Sequence, residues 1–130
     1  MQVLDTHAVF VYLEKEAGYQ KVSGALSHAA QSGKKLLMTS VNWGEVYYAT
    51  LRELGEEAAE SVLSLLLTFP LQVVDVDKKL AKQAGFYKAN KKMSYADCFA
   101  AALAKLTKSD LLTGDKEFRE VEKEIRIIWL

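Results

Sequence analysis

Four acids stand where the local sequence changes character, and each is of a type that could hold a divalent cation. Asp5 ends the apolar run in "VLDTH", Glu45 lies in "SVNWGEV", Asp97 in "MSYADCFAAALA" and Asp115 in "LLTGDKEF". Carboxylates are hard oxygen donors. A set of them with no thiolate or paired histidine suits Mg²⁺ or Mn²⁺. Such a centre supports metal-assisted hydrolysis, with water as the nucleophile. Each acid also has a purely structural reading. Asp5 could close a turn on its own backbone. Glu45 could be the reaching partner of a capping box begun by Asn42, and Asp97 permits a similar cap from Ser94. Asp115 could cap the segment "KEFREVEK".

For these acids to meet, the elements around them must bring distant segments together. Five short apolar runs read as buried strands: "QVL", "KLLMT", "LQVVDV", "DLLT" and "IRIIWL". The segments between them have helical periodicity. Residues 8–31 hold a short helix, a break near Gly18 and a second helix. Further helices are expected over 41–54, with Val46, Ala49 and Leu54 along one side, and after Gly55 up to Pro70. Two more cover 77–90 and 94–108, and a short one 116–124. Strands alternating with helices imply a parallel sheet covered on both faces. The expected fold is therefore α/β, a three-layer α/β/α domain with a five-stranded, mostly parallel sheet, formed by residues 1–130 as a single unit. Asp5 and Asp115 then fall at the carboxyl ends of strands, and Glu45 and Asp97 in the first turns of helices. In an open α/β sheet those places face one crevice. Two ionised carboxylates about 4 Å apart repel by roughly 4 kcal/mol at an effective dielectric near 20. Only Lys116 lies beside one of them, so a convergence of all four calls for a compensating cation.

Composition narrows the class. The chain has 130 residues with 17 basic and 17 acidic side chains, a balance that argues against a general nucleic-acid coat. Cys98 is the single cysteine, which excludes an intrachain disulfide and points to a reducing compartment. No basic leader or long apolar run is present, so a soluble, cytoplasmic protein with no membrane association is expected. Six lysines (Lys78, Lys79, Lys82, Lys88, Lys91, Lys92) fall between residues 78 and 92 with no acid among them. They read either as a solvated helix face or as a phosphate-attracting surface beside Asp97. The segment 56–69 is apolar around more than one stripe, and complete burial is expected, with a partner surface as the alternative. His7 reads as a polar edge residue or a phosphate contact. Cys98 reads as a buried small side chain with no basic neighbour to make it a thiolate. Trp43, Tyr47 and Tyr48 could stack an unpaired base, although core packing suits at least two of them. No glycine-rich phosphate loop or zinc-spaced Cys/His set is present.

The blocks "VLDTHAVF", "TSVNWGEVYYAT", "MSYADCFAAALA" and "LLTGDKEF", in this order, resemble the PIN domain family, and more narrowly its VapC toxins, the nuclease half of type II toxin–antitoxin pairs. The resemblance runs from residue 3 to residue 118. It implies a metal-dependent endoribonuclease whose catalytic, metal-binding quartet is Asp5, Glu45, Asp97 and Asp115, holding one or two Mg²⁺ or Mn²⁺ ions. Thr113 and Thr6 are implied as supporting residues, Thr113 as a positioner of Asp115. RNA is the implied substrate, with Lys88, Lys91, Lys92 and Lys116 as candidate RNA contacts. An antitoxin protein and a second copy of the chain are the implied partners. Departures from the family pattern are His7 after the first acidic block, Gly44 before Glu45, and the polar stretch "KLTKSDLL". Two other readings keep their place beside this one: a solitary PIN ribonuclease that processes RNA, and a binding module whose acids are only caps.

Overall fold

The computed structural model describes residues 1–130. In chain order the elements are β1 (Gln2–Leu4), α1 (Thr6–Leu13), α2 (Tyr19–Ser32), β2 (Leu36–Thr39), α3 (Ser40–Leu54), α4 (Glu56–Leu66), β3 (Leu71–Val74), α5 (Lys78–Asn90), α6 (Tyr95–Thr107), β4 (Asp110–Thr113), a 3₁₀ helix (Lys116–Val121) and β5 (Ile127–Trp129). The five strands form one sheet in the order β3-β2-β1-β4-β5. Every pairing is parallel, so the sheet is parallel throughout rather than mostly so.

Alternation along the strands divides the core into two. Val3, Leu37 and Leu111 face one side and pack with residues of α5, α6 and the 3₁₀ helix. Leu4, Leu36, Met38, Leu71 and Leu112 face the other and pack with α1, α2, α3 and α4. This two-residue alternation follows from the pleat, and helices on both faces are what a parallel sheet requires. The run from Cys98 to Ala104 in α6 is wholly buried. Its alanines let the helix lie close to the sheet, which sets the position of the acid at its start.

Two expectations fail on the α3–α4 corner. Val46 is buried as expected, but Leu54 is 70% exposed, and Asn42 and Thr50 complete the buried face of α3. The helix end overhangs the sheet, so periodicity continues past the point where there is core to meet. The apolar segment after Gly55 is not completely buried either. Ala59 and Leu66 are buried, whereas Leu65 is 44% and Leu67 86% exposed. More apolar surface is present than one sheet face can cover.

The break between α1 and α2 falls at Gly18 as the sequence predicts, with φ of +96°. A Cβ placed there would lie 2.8 Å from Leu130 Cβ and 3.1 Å from its backbone. Gly18→Ala therefore combines a left-handed backbone with a collision against the carboxyl terminus. It should lower stability by about 1–3 kcal/mol. Chemical denaturation of the two proteins checks this, and an unchanged midpoint would show that the terminus yields freely.

Candidate metal centre

Asp5 directly follows β1 and caps α1. One carboxylate oxygen accepts the Ala8 amide at 2.8 Å, and the other accepts the Thr113 hydroxyl from the end of β4. Only 1% of the residue is exposed. Asp97 lies in the first turn of α6, whose cap is Ser94; the Ser94 hydroxyl accepts the Asp97 amide at 3.2 Å. Asp115 caps the 3₁₀ helix by accepting the Glu117 amide at 2.9 Å. The structural readings of Asp5 and Asp115 are thus correct as far as they go; Ser94 caps α6 but no capping box closes, because the Ser94 amide donates to Glu117 rather than to Asp97. Capping and convergence coexist, because caps at the carboxyl end of a parallel sheet all point toward the same crevice.

Glu45 behaves differently from either reading. It lies in the second turn of α3 rather than the first, and the cap of that helix is Thr39, which accepts the Asn42 amide at 3.0 Å. No capping box forms. The Glu45 carboxylate instead accepts hydrogen bonds from the Thr6 hydroxyl and, at 3.3 Å, from the Tyr48 hydroxyl. Thr6 therefore supports Glu45. Thr113 does two things: its hydroxyl donates to Asp5 and accepts the Asp115 amide at 3.0 Å. It joins the first and last acids rather than serving Asp115 alone.

The tightest grouping includes an acid that the sequence reading missed. Carboxylate oxygens of Asp97, Asp115 and Glu117 all lie within 4.8 Å of one another. Asp5 and Glu45 lie outside that trio, although Asp5 feels the charges of Asp115 and Glu45, and Asp97 feels that of Asp5. Glu117 also accepts the Ser94 amide at 2.7 Å, which ties the 3₁₀ helix to the start of α6. The signal for Glu117 was its position two residues after Asp115. In a continuous α-helix that spacing turns side chains apart, but across a cap and a 3₁₀ turn they share a side.

Burial pushes the Asp5 carboxyl up from its ordinary 3.8 to about 7, against the pull of the Thr113 and Ala8 hydrogen bonds and with a push from Asp115 and Glu45. Asp97 rises from 3.8 to about 8, first through burial and then through the charges of Asp115, Asp5 and Glu117. Ionised carboxylates at the trio's spacing repel by roughly 3–4 kcal/mol per pair at an effective dielectric near 20. No lysine or arginine forms an ion pair with any of the five acids. The donor set fits a hard divalent cation. The three oxygens lie within 4.8 Å of one another, so small side-chain movements would bring them to the ~2.1 Å bonds of Mg²⁺.

The remaining candidates are placed as follows. Lys91 pairs with Glu124 at 3.1 Å, the Lys88 ammonium donates to the Met93 carbonyl at 2.9 Å, and the Lys92 amide donates to Glu120 at 2.9 Å. Lys116 is exposed at the start of the 3₁₀ helix. The His7 ring accepts the Gly114 amide through Nδ1 at 3.2 Å, and a Cβ on residue 114 would come within 2.6 Å of that ring. A side chain at position 114 would have to displace the exposed His7 ring. Cys98 is buried and, contrary to expectation, has a basic neighbour in Lys88; burial still dominates and raises its thiol.

The family model of the PIN domain matches residues 3–124. The chain belongs to the PIN domain family. No curated relative matches this PIN domain in sequence. Among solved structures it is similar to VapBC2 from Rickettsia felis bound to a promoter DNA fragment, with TM-score 0.78, 17% identity, and 98% of this chain and 96% of that chain covered. It is also similar to DNA-bound VapBC from Salmonella typhimurium, with TM-score 0.75, 20% identity, and coverages of 98% and 96%. Mycobacterium tuberculosis VapC20, a toxin that cleaves the sarcin–ricin loop, matches with TM-score 0.68 at 17% identity, over 92% of this chain and 93% of that one. At these identities the likeness establishes the fold of the PIN domain. No helix is long and apolar enough to cross a membrane.

The raised carboxyls set a pH dependence. Folded-state values of about 7 and 8 lie above the ordinary 3.8, so the native protein holds more protons than the unfolded chain across that interval. The stability these two groups contribute in chelator should therefore be full below about pH 4, fall as pH rises to about 8, and then level off. Asp97→Asn should flatten the fall and melt several degrees higher than the parent at pH 8. Melting curves across the range check both, and parallel profiles for the two proteins would contradict the crowding.

Proposed function

We propose that this PIN domain is a Mg²⁺- or Mn²⁺-dependent endoribonuclease of the VapC type, acting in the cytoplasm as the toxin of a toxin–antitoxin pair. The observation that carries the reading is the convergence of Asp97, Asp115 and Glu117 on one point, beside buried Asp5, with no cation among the side chains to balance them. Caps alone require no such meeting.

Asp97, Asp115 and Glu117 would hold the ion, with Asp5 completing the wall behind them. When bound, the ion supplies Lewis-acid chemistry, making water a stronger acid and offsetting charge that grows on the phosphate oxygens. With their carboxyls raised to about 7 and about 8, Asp5 and Asp97 would have to be deprotonated for the site to hold a cation, so affinity would rise with pH. Glu45, held by Thr6 and Tyr48 and close enough to Asp5 to raise its carboxyl, would orient the attacking water and accept its proton. It could equally hold a second ion. Thr113 fixes Asp5 by its hydroxyl and Asp115 through that residue's amide, so the two acids keep their spacing.

The exposed leucines at positions 51, 54, 65 and 67 support a protein partner on the α3–α4 corner, either an antitoxin or a second copy of the chain. The VapBC complexes among the similar structures favour the toxin role over a solitary processing nuclease.

Purified protein should cut total cellular RNA with Mn²⁺ and fail to do so with chelator or as Asp97→Asn; sequencing of the new 5′ ends reports the sites. Identical RNA profiles in all three conditions would overturn the nuclease assignment. Thr113→Val keeps the shape of the side chain but removes the shared hydroxyl. It should reduce cleavage or metal affinity about 10–100-fold, with a Mn²⁺ titration of activity separating the two. Full activity at ordinary Mn²⁺ would show that the acids hold their places without it.

A further inference from the structure

The end of the sheet opposite the acids carries its own chemistry. Two adjoining cavities open there, of about 660 Å³ and 320 Å³, and both are lined by Asp110 at the start of β4. The larger has an apolar floor that includes Ala25, Ala29, Leu112 and Ile128, with Lys21, Lys34 and Lys35 among its lining residues. It exists because α2 turns Gly24, Ala25 and Ala29 toward the sheet where bulkier side chains would fill the space. Lys105, Lys108 and Arg126 line the smaller one. The acids in the two linings are already engaged, Asp110 with Arg126 at 3.7 Å and Glu124 with Lys91 at 3.1 Å. Those are the two ion pairs of the fold; Lys34, Lys35, Lys105 and Lys108 have no carboxylate partner, and Lys21 donates to the Trp129 carbonyl at 2.6 Å.

Helix dipoles explain part of this. Lys105 and Lys108 close α6, and Lys34 and Lys35 follow the end of α2. A helix end carries about half a negative charge, which one cation offsets. Two lysines at each end, with Lys21 on the flank of α2, leave a positive surplus. We propose that this face binds the phosphodiester backbone of single-stranded RNA, away from the bond that is cut. The choice of RNA as ligand rests on the nuclease reading. An acidic peptide added as an extra strand fits less well, because that mode is held through main-chain hydrogen bonds. The amides at this end are taken: Leu36 donates to the Pro70 carbonyl, Asp110 to Met1 and Leu111 to Arg126. What is left is charge and a small apolar floor, which suits phosphates and a sugar or base edge.

The test is binding of a fluorescein-labelled, unstructured single-stranded RNA by anisotropy, in chelator so that nothing is cut, over a series of salt concentrations. The wild type is compared with Lys34→Gln/Lys35→Gln/Lys105→Gln/Lys108→Gln, four exposed positions whose loss leaves the core untouched; poly-glutamate is a second probe. Each phosphate neutralised on a single strand contributes about 0.7 to the slope of log affinity against log salt. The slope should shrink by about 1.4 or more, the share of two cations. A smaller change overturns the proposal, as does lost poly-glutamate binding with RNA binding intact. Mn²⁺-dependent cleavage by the wild type is run in parallel. Cleavage with an unchanged slope rejects this surface alone. No cleavage with a reduced slope keeps the surface and rejects the nuclease.

Discussion

Mutual repulsion among carboxylates at one end of a parallel sheet is the constraint that the rest of the molecule accommodates. Asp5 sits at the end of the central strand with 1% of its surface exposed, and Asp97, Asp115 and Glu117 crowd beside it. Nothing among the side chains neutralises them. Three local devices make the arrangement tolerable. Helix starts present amides and the positive end of their dipoles to Asp5, Asp97 and Asp115. The Thr113 hydroxyl bridges the two central strands by donating to Asp5. Packing on both faces of the sheet then holds the backbone that carries the acids, and alanine-rich α6 can come close enough to deliver Asp97.

The same geometry sorts charge along the strands. A helix that runs from the carboxyl end of one strand to the amino end of the next carries acid at its start and lysine at its end, as α6 does with Asp97 and Lys105. A formal net charge of zero therefore conceals a polar molecule. The neutral total weighs against a uniform basic coat, but it says nothing about either pole.

Much of this was legible in the sequence because it is local. The five apolar runs became the five strands, and Gly18 and Pro70 fell at breaks between elements. Asp5, Asp97 and Asp115 lie where short motifs placed them, in caps whose partners are two or three residues away. What escaped is non-local. Lys91 looked free of acids because its partner, Glu124, arrives more than thirty residues later. Glu45 looked like a capping partner because its true donor, Thr6, comes from another helix. Leu54 and Leu67 looked like core because periodicity does not reveal where the sheet stops. Glu117 was in plain view beside Asp115, and only the 3₁₀ geometry of the turn brings both acids to one side.

The bond between Thr113 and Asp5 closes a separation of 108 residues. β1 is translated well before its neighbour β4, and the acids meet only when both are in place. At ordinary elongation rates that interval is about 5–20 s. A chain still on the ribosome thus carries Asp5 and Glu45 without their companions and has no assembled acid cluster. Strand order alone keeps the acid cluster from forming until β4 has been made.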